Sequence, residues 1–358
     1  MIVVNARFLT QKTTGVQRFA LELSCRLRKI SREQIVFVAP KGVIQKEMAS
    51  QLKVITIGKL GGYAWEQIEL PIWLLRHNSP KLLNLCSVAP IFYNNCYTAV
   101  HDITVIRFPQ TFNWKFKLAY RLLMPLICRK SNRLITVSNF SLKELSSYYD
   151  VPQEKFIVAY NAASNFFKPI KDIELNRTKY FLAVSSVKEN KNFIAALQAF
   201  EQIQHQLQDI CMYVIGDCES SNFNSINIVD FKKNKYIKFL GRVSDEELVK
   251  YYSNAIGFVF PSLYEGFGIP VIEAQSCGCP VISSNSSSLP EVLRDSALFF
   301  EPNDINRLAS HMVELSTNQS LRQELIKKGF ENVKRFSWDE SAQKIADLMN
   351  FEKMNNID

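Results

Sequence analysis

The sequence predicts an α/β protein made of two consecutive doubly wound domains. Short apolar runs alternate with amphipathic helical stretches through the first half, as a parallel sheet covered by helices on both faces requires. The alternation breaks at a polar, irregular passage, Ala162 to Lys179, and then restarts. Near residue 260 an apolar strand runs into a glycine-containing loop and a helix start, and ligands in such folds bind at the carboxyl ends of strands.

In the first half, Ile2 to Val4, Ile35 to Ala39, Leu82 to Leu85, Tyr97 to Val100 and Leu134 to Val137 read as strands, and Lys155 to Asn161 closes the pattern. Gln17 to Ile30 and Phe140 to Tyr149 are amphipathic at helical spacing. In the second half, Tyr180 to Val184, Met212 to Ile215, Ile237 to Leu240, Ile256 to Phe260, Val281 to Ser283 and Ala297 to Phe300 read as strands. Asn192 to Gln208, Asp245 to Ser253 and Pro270 to Ser276 read as the helices between them. The domains expected are therefore 1–165 and 175–335, with the site in the cleft where they face each other.

Composition sets further bounds. A chain of 358 residues with 47% hydrophobic content suits one large or two ordinary globular domains. No apolar run is long enough to span a membrane. The start, Met1-Ile2-Val3-Val4-Asn5-Ala6-Arg7, reads directly as a strand and lacks the charged and apolar regions of a secretory signal, so the cytoplasm is the expected compartment. The eight cysteines include no Cys-x-x-Cys pair, and the four histidines do not cluster near them. Reduced core thiols are expected rather than a zinc site. Cys277-Gly278-Cys279 reads as a turn after a helix rather than a redox centre.

The net charge of +9 favours anionic partners. It is sharpest between Asn113 and Arg133, where Lys115, Lys117, Arg121, Arg129, Lys130 and Arg133 alternate with Trp114, Phe116, Leu118, Tyr120, Leu122, Leu123, Met124 and Leu126, with no acid. Two readings stay open: an interfacial helix on an anionic membrane face, or a core helix with a solvated basic face. Nothing resembles a nucleic-acid-binding motif, so no nucleic acid partner is expected.

The most informative stretch is Pro261-Ser262-Leu263-Tyr264-Glu265-Gly266-Phe267-Gly268-Ile269-Pro270-Val271-Ile272-Glu273-Ala274. Glycines allow close approach of backbone to ligand. Proline suits the start of a helix, and a helix start offers amides and a positive dipole end to a phosphate. Glu265 on the loop and Glu273 in the first helical turn would accept hydrogen bonds from sugar hydroxyls. The chemistry points to a phosphorylated sugar.

This stretch resembles the Glu-x7-Glu signature of the retaining family 4 glycosyltransferases, which have the GT-B fold. The match continues through Ala274, Gly278, Pro280-Val281-Ile282 and Ser287-Ser288-Leu289-Pro290-Glu291-Val292. It extends over nearly the whole chain: Thr14-Gly15-Val16-Gln17-Arg18-Phe19, Trp65-Glu66-Gln67 with Leu70-Pro71, His101-Asp102, Thr136-Val137-Ser138-Asn139-Phe140-Ser141, Gly241-Arg242-Val243-Ser244 and Phe336-Ser337-Trp338. The resemblance implies two Rossmann-like domains, with residues from about 338 to 358 crossing back onto the first.

The resemblance also implies roles. Lys191, with Asn192 beside it, would neutralise the leaving diphosphate. Many members carry an arginine where this chain has Ser185, and Lys188 or Arg242 would have to compensate. Glu273 would accept from the ribose hydroxyls, and Glu265 would contact the donor sugar. Backbone at Phe267, Gly268 and Ile269 would hold sugar and diphosphate, and the main chain of Val243 would meet the base. His101 would lie near the transferred sugar, with Asp102 orienting it or touching acceptor. Gly15 and Val16 would approach donor or acceptor by backbone, while Arg18 would sit on the helix surface.

The reaction implied is transfer, with retention, from a nucleotide-diphosphate sugar to a saccharide or lipid-linked saccharide. The pattern is most similar to bacterial enzymes building O-antigen or capsule chains, which favours mannose from GDP-mannose. The sequence has no Asp-x-Asp element, so neither cofactor nor metal ligands are expected. The alternatives are a nucleotide-sugar epimerase of the same fold and a non-catalytic scaffold. A dehydrogenase is disfavoured because Gly266-Phe267-Gly268 lacks a third glycine.

Overall fold

Every strand pairing in the computed structural model is parallel. It describes residues 1–30, 35–86, 88–170, 172, 175, 178–184, 188–207, 209–216 and 228–349. The chain divides into two units. One comprises Met1–Val105, Asn113–Asn161 and the stretch from Ser337; the other comprises Ile106–Phe112 and Ala162–Phe336. The short segment Ile106–Phe112, which the sequence assigns to the first domain, groups with the second unit.

The first unit holds β1 (Ile2–Asn5), β2 (Ile35–Ala39), β3 (Ile55–Thr56), β4 (Lys81–Asn84), β5 (Cys96–Ala99), β6 (Arg133–Thr136) and β7 (Phe156–Val158), in the order β3-β2-β1-β4-β5-β6-β7. β1 is buried at all four positions and pairs on both sides, Ile2 with Ile35 and with Lys81. A strand covered on both faces must be apolar throughout, which is why it is legible. The predicted helix at Gln17 begins two residues earlier and spans Gly15–Ile30. Asn139–Tyr149 is capped by Ser138, whose Oγ accepts from Ser141 N at 3.0 Å. The helix Trp338–Leu348 packs on Gly15–Ile30. Trp338 meets Phe19 with ring centroids 6.0 Å apart, and Arg26 Nε donates to Asp339 Oδ1 at 2.8 Å.

The second unit holds β8 (Lys179–Val184), β9 (Ile210–Ile215), β10 (Ile237–Gly241), β11 (Gly257–Phe260), β12 (Val281–Ser284) and β13 (Ala297–Phe300), in the order β10-β9-β8-β11-β12-β13. Its core gathers Phe181, Phe200, Met212, Val259, Ile282 and Met312 between the sheet and helices Phe193–Ile203 and Ile305–Thr317. Asp245–Asn254 starts with a capping box, Ser244 and Glu247 bonding reciprocally. The helix expected over Asn192 to Gln208 starts at Phe193, because Asn192 takes a left-handed conformation with φ 47°, and ends at Ile203.

Candidate functional site

The order of the second sheet creates the site. From β8 the chain runs outward to β9 and β10, then returns to lay β11 on the other side of β8. The loops leaving β8 and β11 therefore flank the point where the strand order reverses, the place where doubly wound sheets bind ligands. Lys191 lies beyond β8 and Glu265 beyond β11. Their side chains meet: Lys191 Nζ donates to Glu265 Oε1 at 2.5 Å, with the two side chains 22% and 11% exposed. Ser262 Oγ donates to the same oxygen at 2.6 Å. Glu265 is also fixed by its main chain, its N donating to Ser287 Oγ at 2.9 Å and its carbonyl accepting from Ser288 Oγ at 3.0 Å.

The Lys191 side is equally anchored. Lys191 closes a short 3₁₀ turn, Glu189–Lys191. Leu263 N donates to Asn190 O at 2.7 Å, and Ser262 Oγ lies 3.0 Å from the same oxygen. Asn192 Nδ2 donates to Pro302 O at 3.0 Å, so the Asn192 side chain fastens the loop. Lys188 lies over the Phe112 ring at 5.3 Å. Its pKa is lowered first by burial and then by the charge of Lys191. Two lysines are therefore neighbours here, Lys191 paired with Glu265 and Lys188 over an aromatic ring. Ser185 lies outside the described residues. Arg242 is exposed on the loop after β10, with Val243 half-buried beside it.

Gly268 makes the turn into the motif helix with φ 93°, and a Cβ there would stand 2.8 Å from Leu289 Cδ2. Only glycine fits both constraints. The helix spans Ile269–Ser276, so Pro270 is its second residue and Glu273 its fifth. Glu273 is therefore not in the first turn, as the sequence suggests. It is a buried carboxylate at 6% exposure in the second turn. Phe267 turns its ring into the core, edge-on to Phe336 at 5.3 Å. Ile269 opens the helix, where amides lack intrahelical acceptors.

In the first unit, His101 follows β5 and is buried. Its Nε2 is 3.1 Å from Leu85 O and its ring is edge-on to Phe19 at 4.7 Å. Burial lowers its pKa, against the opposing pull of the Leu85 carbonyl and the Asp102 charge. Asp102 Oδ1 accepts from Thr104 N at 2.8 Å and so starts the helix Thr104–Arg107. Gly15 and Val16 are the first two residues of a helix rather than a loop, with Val16 O near Cys86 Sγ at 3.9 Å. Arg18 is half-buried on the same helix.

Sequence reasoning missed a second polar constellation. The first sheet switches direction between β1 and β4, which end in Asn5 and Asn84. Asn5 Nδ2 lies 2.9 Å from Glu66 Oε1 and 3.1 Å from Asn84 Oδ1, and Arg7 Nε lies 2.8 Å from Glu66 Oε1. Glu66 sits in a π-helical turn, Trp65–Glu69, a distortion common at functional sites. Burial raises its pKa, against Arg7 and Asn5. An asparagine ending each of two apolar runs was the available signal. Ser262, Ser287 and Ser288 were missed as the supports of Glu265.

Elsewhere, burial pushes the thiols of Cys86, Cys96, Cys128 and Cys277 up to about 12, and raises that of Cys279 well above its ordinary value. Such thiols are poor nucleophiles, so Cys277 and Cys279 are core residues. Among the described residues, no three His, Cys, Asp or Glu side chains gather as a metal site would need.

Comparison with known proteins agrees with this layout. The pattern of the family described as "Glycosyl transferases group 1" matches residues 167–332. The chain is 28% identical to O-antigen chain mannosyltransferase B of Escherichia coli, over 91% of this chain and 93% of that protein. It is 29% identical to O-antigen chain mannosyltransferase RfbU of Salmonella typhimurium, over 85% and 87%. Among solved structures, Anabaena Alr3699/HepE in complex with UDP and glucose superposes with a TM-score of 0.75 at 15% identity, over 98% of this chain and 99% of that one. Two parallel sheets of seven and six strands place the chain in the GT-B architecture. With a Glycosyl transferases group 1 domain over residues 167–332, on that architecture, this protein is a glycosyltransferase.

Proposed function

We propose that the protein transfers mannose from GDP-mannose to a saccharide or lipid-linked saccharide acceptor, with retention of the anomeric configuration, in the synthesis of a cell-surface polysaccharide. The observation that carries the reading is the Lys191–Glu265 contact of 2.5 Å at the switch point of the second sheet. It puts a cation for phosphate and a carboxylate for hydroxyls in one place. The choice of mannose is supported by the names of the two full-length relatives.

In this reading the departing nucleotide diphosphate carries the growing negative charge. Lys191, with Lys188 beside it, and the amides at Phe267, Gly268 and Ile269 meet that charge as it develops. Glu273 accepts from the ribose hydroxyls, and Glu265 accepts from the sugar. Asn192 holds the lysine loop, and Arg242 and Val243 lie toward the base. The bond from the anomeric carbon to the phosphate oxygen breaks. The acceptor oxygen bonds to that carbon from the same face, and its proton passes to the departing phosphate. His101, Gly15 and Val16 serve the transferred sugar and the acceptor. No resident cofactor or metal is invoked.

A panel of nucleotide sugars, measured for thermal stabilisation and for product with saccharide acceptors, tests this. GDP-mannose should stabilise the protein, and proton NMR should show an α-linked product. Stabilisation by a different donor alone would overturn the choice of sugar. A β-linked mannoside would overturn retention.

A further inference from the structure

The helix Trp114–Lys130 presents an apolar stripe that no described residue covers. Trp114 is 66% exposed, Leu118 51%, Leu122 61% and Leu126 42%. Their spacing of four places them along one side of the helix. The opposite side seats the helix through Tyr120, Met124, Ile127 and Cys128, which are buried. Asn113 fixes the start, its Oδ1 accepting from Phe116 N at 2.8 Å.

Along the helix itself the stripe is bordered by cations. Lys115, Arg121, Arg129 and Lys130 are exposed, and no Asp or Glu occurs from 113 to 133. Phe92, 77% exposed, adds to the apolar patch, with Lys130 Nζ 5.7 Å from its ring and donating to Ile91 O at 3.0 Å. An apolar protein partner would account for the stripe and leave the cations unmatched. A free polyanion would account for the cations and leave the leucines in water. A bilayer with anionic headgroups satisfies both, because its acyl boundary takes the apolar side chains and its surface takes the ammonium and guanidinium groups.

We infer that Trp114–Lys130, with Phe92, docks the protein onto an anionic membrane surface, the helix lying in the plane of the interface. Among the described residues no helix is long and apolar enough to cross a membrane, so the contact is peripheral. The inference goes beyond the proposed transfer and is tested without any sugar.

Cosedimentation of the full chain with phosphatidylcholine vesicles, with and without phosphatidylglycerol, reads the binding. The wild type should bind only the anionic vesicles, less tightly as salt rises. The variant Trp114→Ser, Leu118→Ser, Leu122→Ser should lose binding while keeping its circular dichroism and its stabilisation by the donor. The variant Arg121→Gln, Arg129→Gln should bind roughly 25-fold more weakly, about fivefold per cation. Wild-type protein that ignores anionic vesicles, or a serine variant that binds them undiminished, overturns the inference. So does a dimer in sedimentation velocity that the serine variant abolishes, because a second copy would then own the stripe.

Discussion

Lys191 Nζ and Glu265 Oε1 stand 2.5 Å apart across 74 residues of sequence, and the contact ties the loop after β8 to the loop after β11. Glu265 cannot swing freely, since Ser262, Ser287 and Ser288 hold it from three sides. The lysine is thus held in place, and in the proposed reaction it is preset for the phosphate charge. A preset donor is worth more than one that must reorganise.

Lys191→Ala should lower kcat by about 100- to 1,000-fold, the range for loss of one transition-state donor. Initial-rate assays of sugar transfer check this. A loss under threefold would mean that Lys188 alone carries the phosphate charge.

Glu273→Ala should abolish stabilisation by nucleotide sugars. At one hundred times its dissociation constant, a donor should add about 2.7 kcal/mol to the wild type. Calorimetric melting with and without donor measures the difference. A variant stabilised as strongly as wild type would remove Glu273 from the ribose role.

Gly268→Ala should destabilise the second unit by about 1–3 kcal/mol, because the position needs a left-handed backbone and its Cβ would press on Leu289. Urea denaturation reads the loss. An unchanged midpoint would show that the loop relaxes freely.

Glu66→Ala should reduce stability by about 3–5 kcal/mol, since it strands the Arg7 guanidinium and an Asn5 amide in a buried setting. Denaturant titration of Glu66→Ala and of the double variant with Arg7→Ala separates the effects. The double variant should lose less than the sum of the singles.

His101 should give stability a pH dependence. Its folded pKa is lowered by burial, so the unfolded chain takes up the proton more readily. The stability of the neutral buried ring is present above the ordinary value near 6.5 and is lost as pH falls below it. Comparing melting temperatures of wild type and His101→Gln across that range should show a flatter acid limb for the variant.

The two sheets were legible because buried parallel strands are short, mostly apolar runs, as Ile2 to Val4 and Gly257 to Phe260 show. β3 escaped because it is two exposed residues, Ile55–Thr56, at a sheet edge. Helices Ile305–Thr317 and Gln319–Val333 escaped although their caps were visible: Asp304 accepts from Arg307 N and Asn318 from Leu321 N. Glu265 and Lys191 were legible through their local motifs. Their serine supports, and the Asn5–Glu66–Asn84 cluster, were not, because only the fold brings those residues together.

The pairing of Phe19 with Trp338, and of Arg26 with Asp339, has a consequence for biosynthesis. The helix Gly15–Ile30 meets its packing partner more than three hundred residues later. The nascent amino-terminal sheet must therefore wait with one apolar flank open while the whole second sheet is translated. Vectorial synthesis, which favours completing each domain in turn, leaves this unit as the last to close.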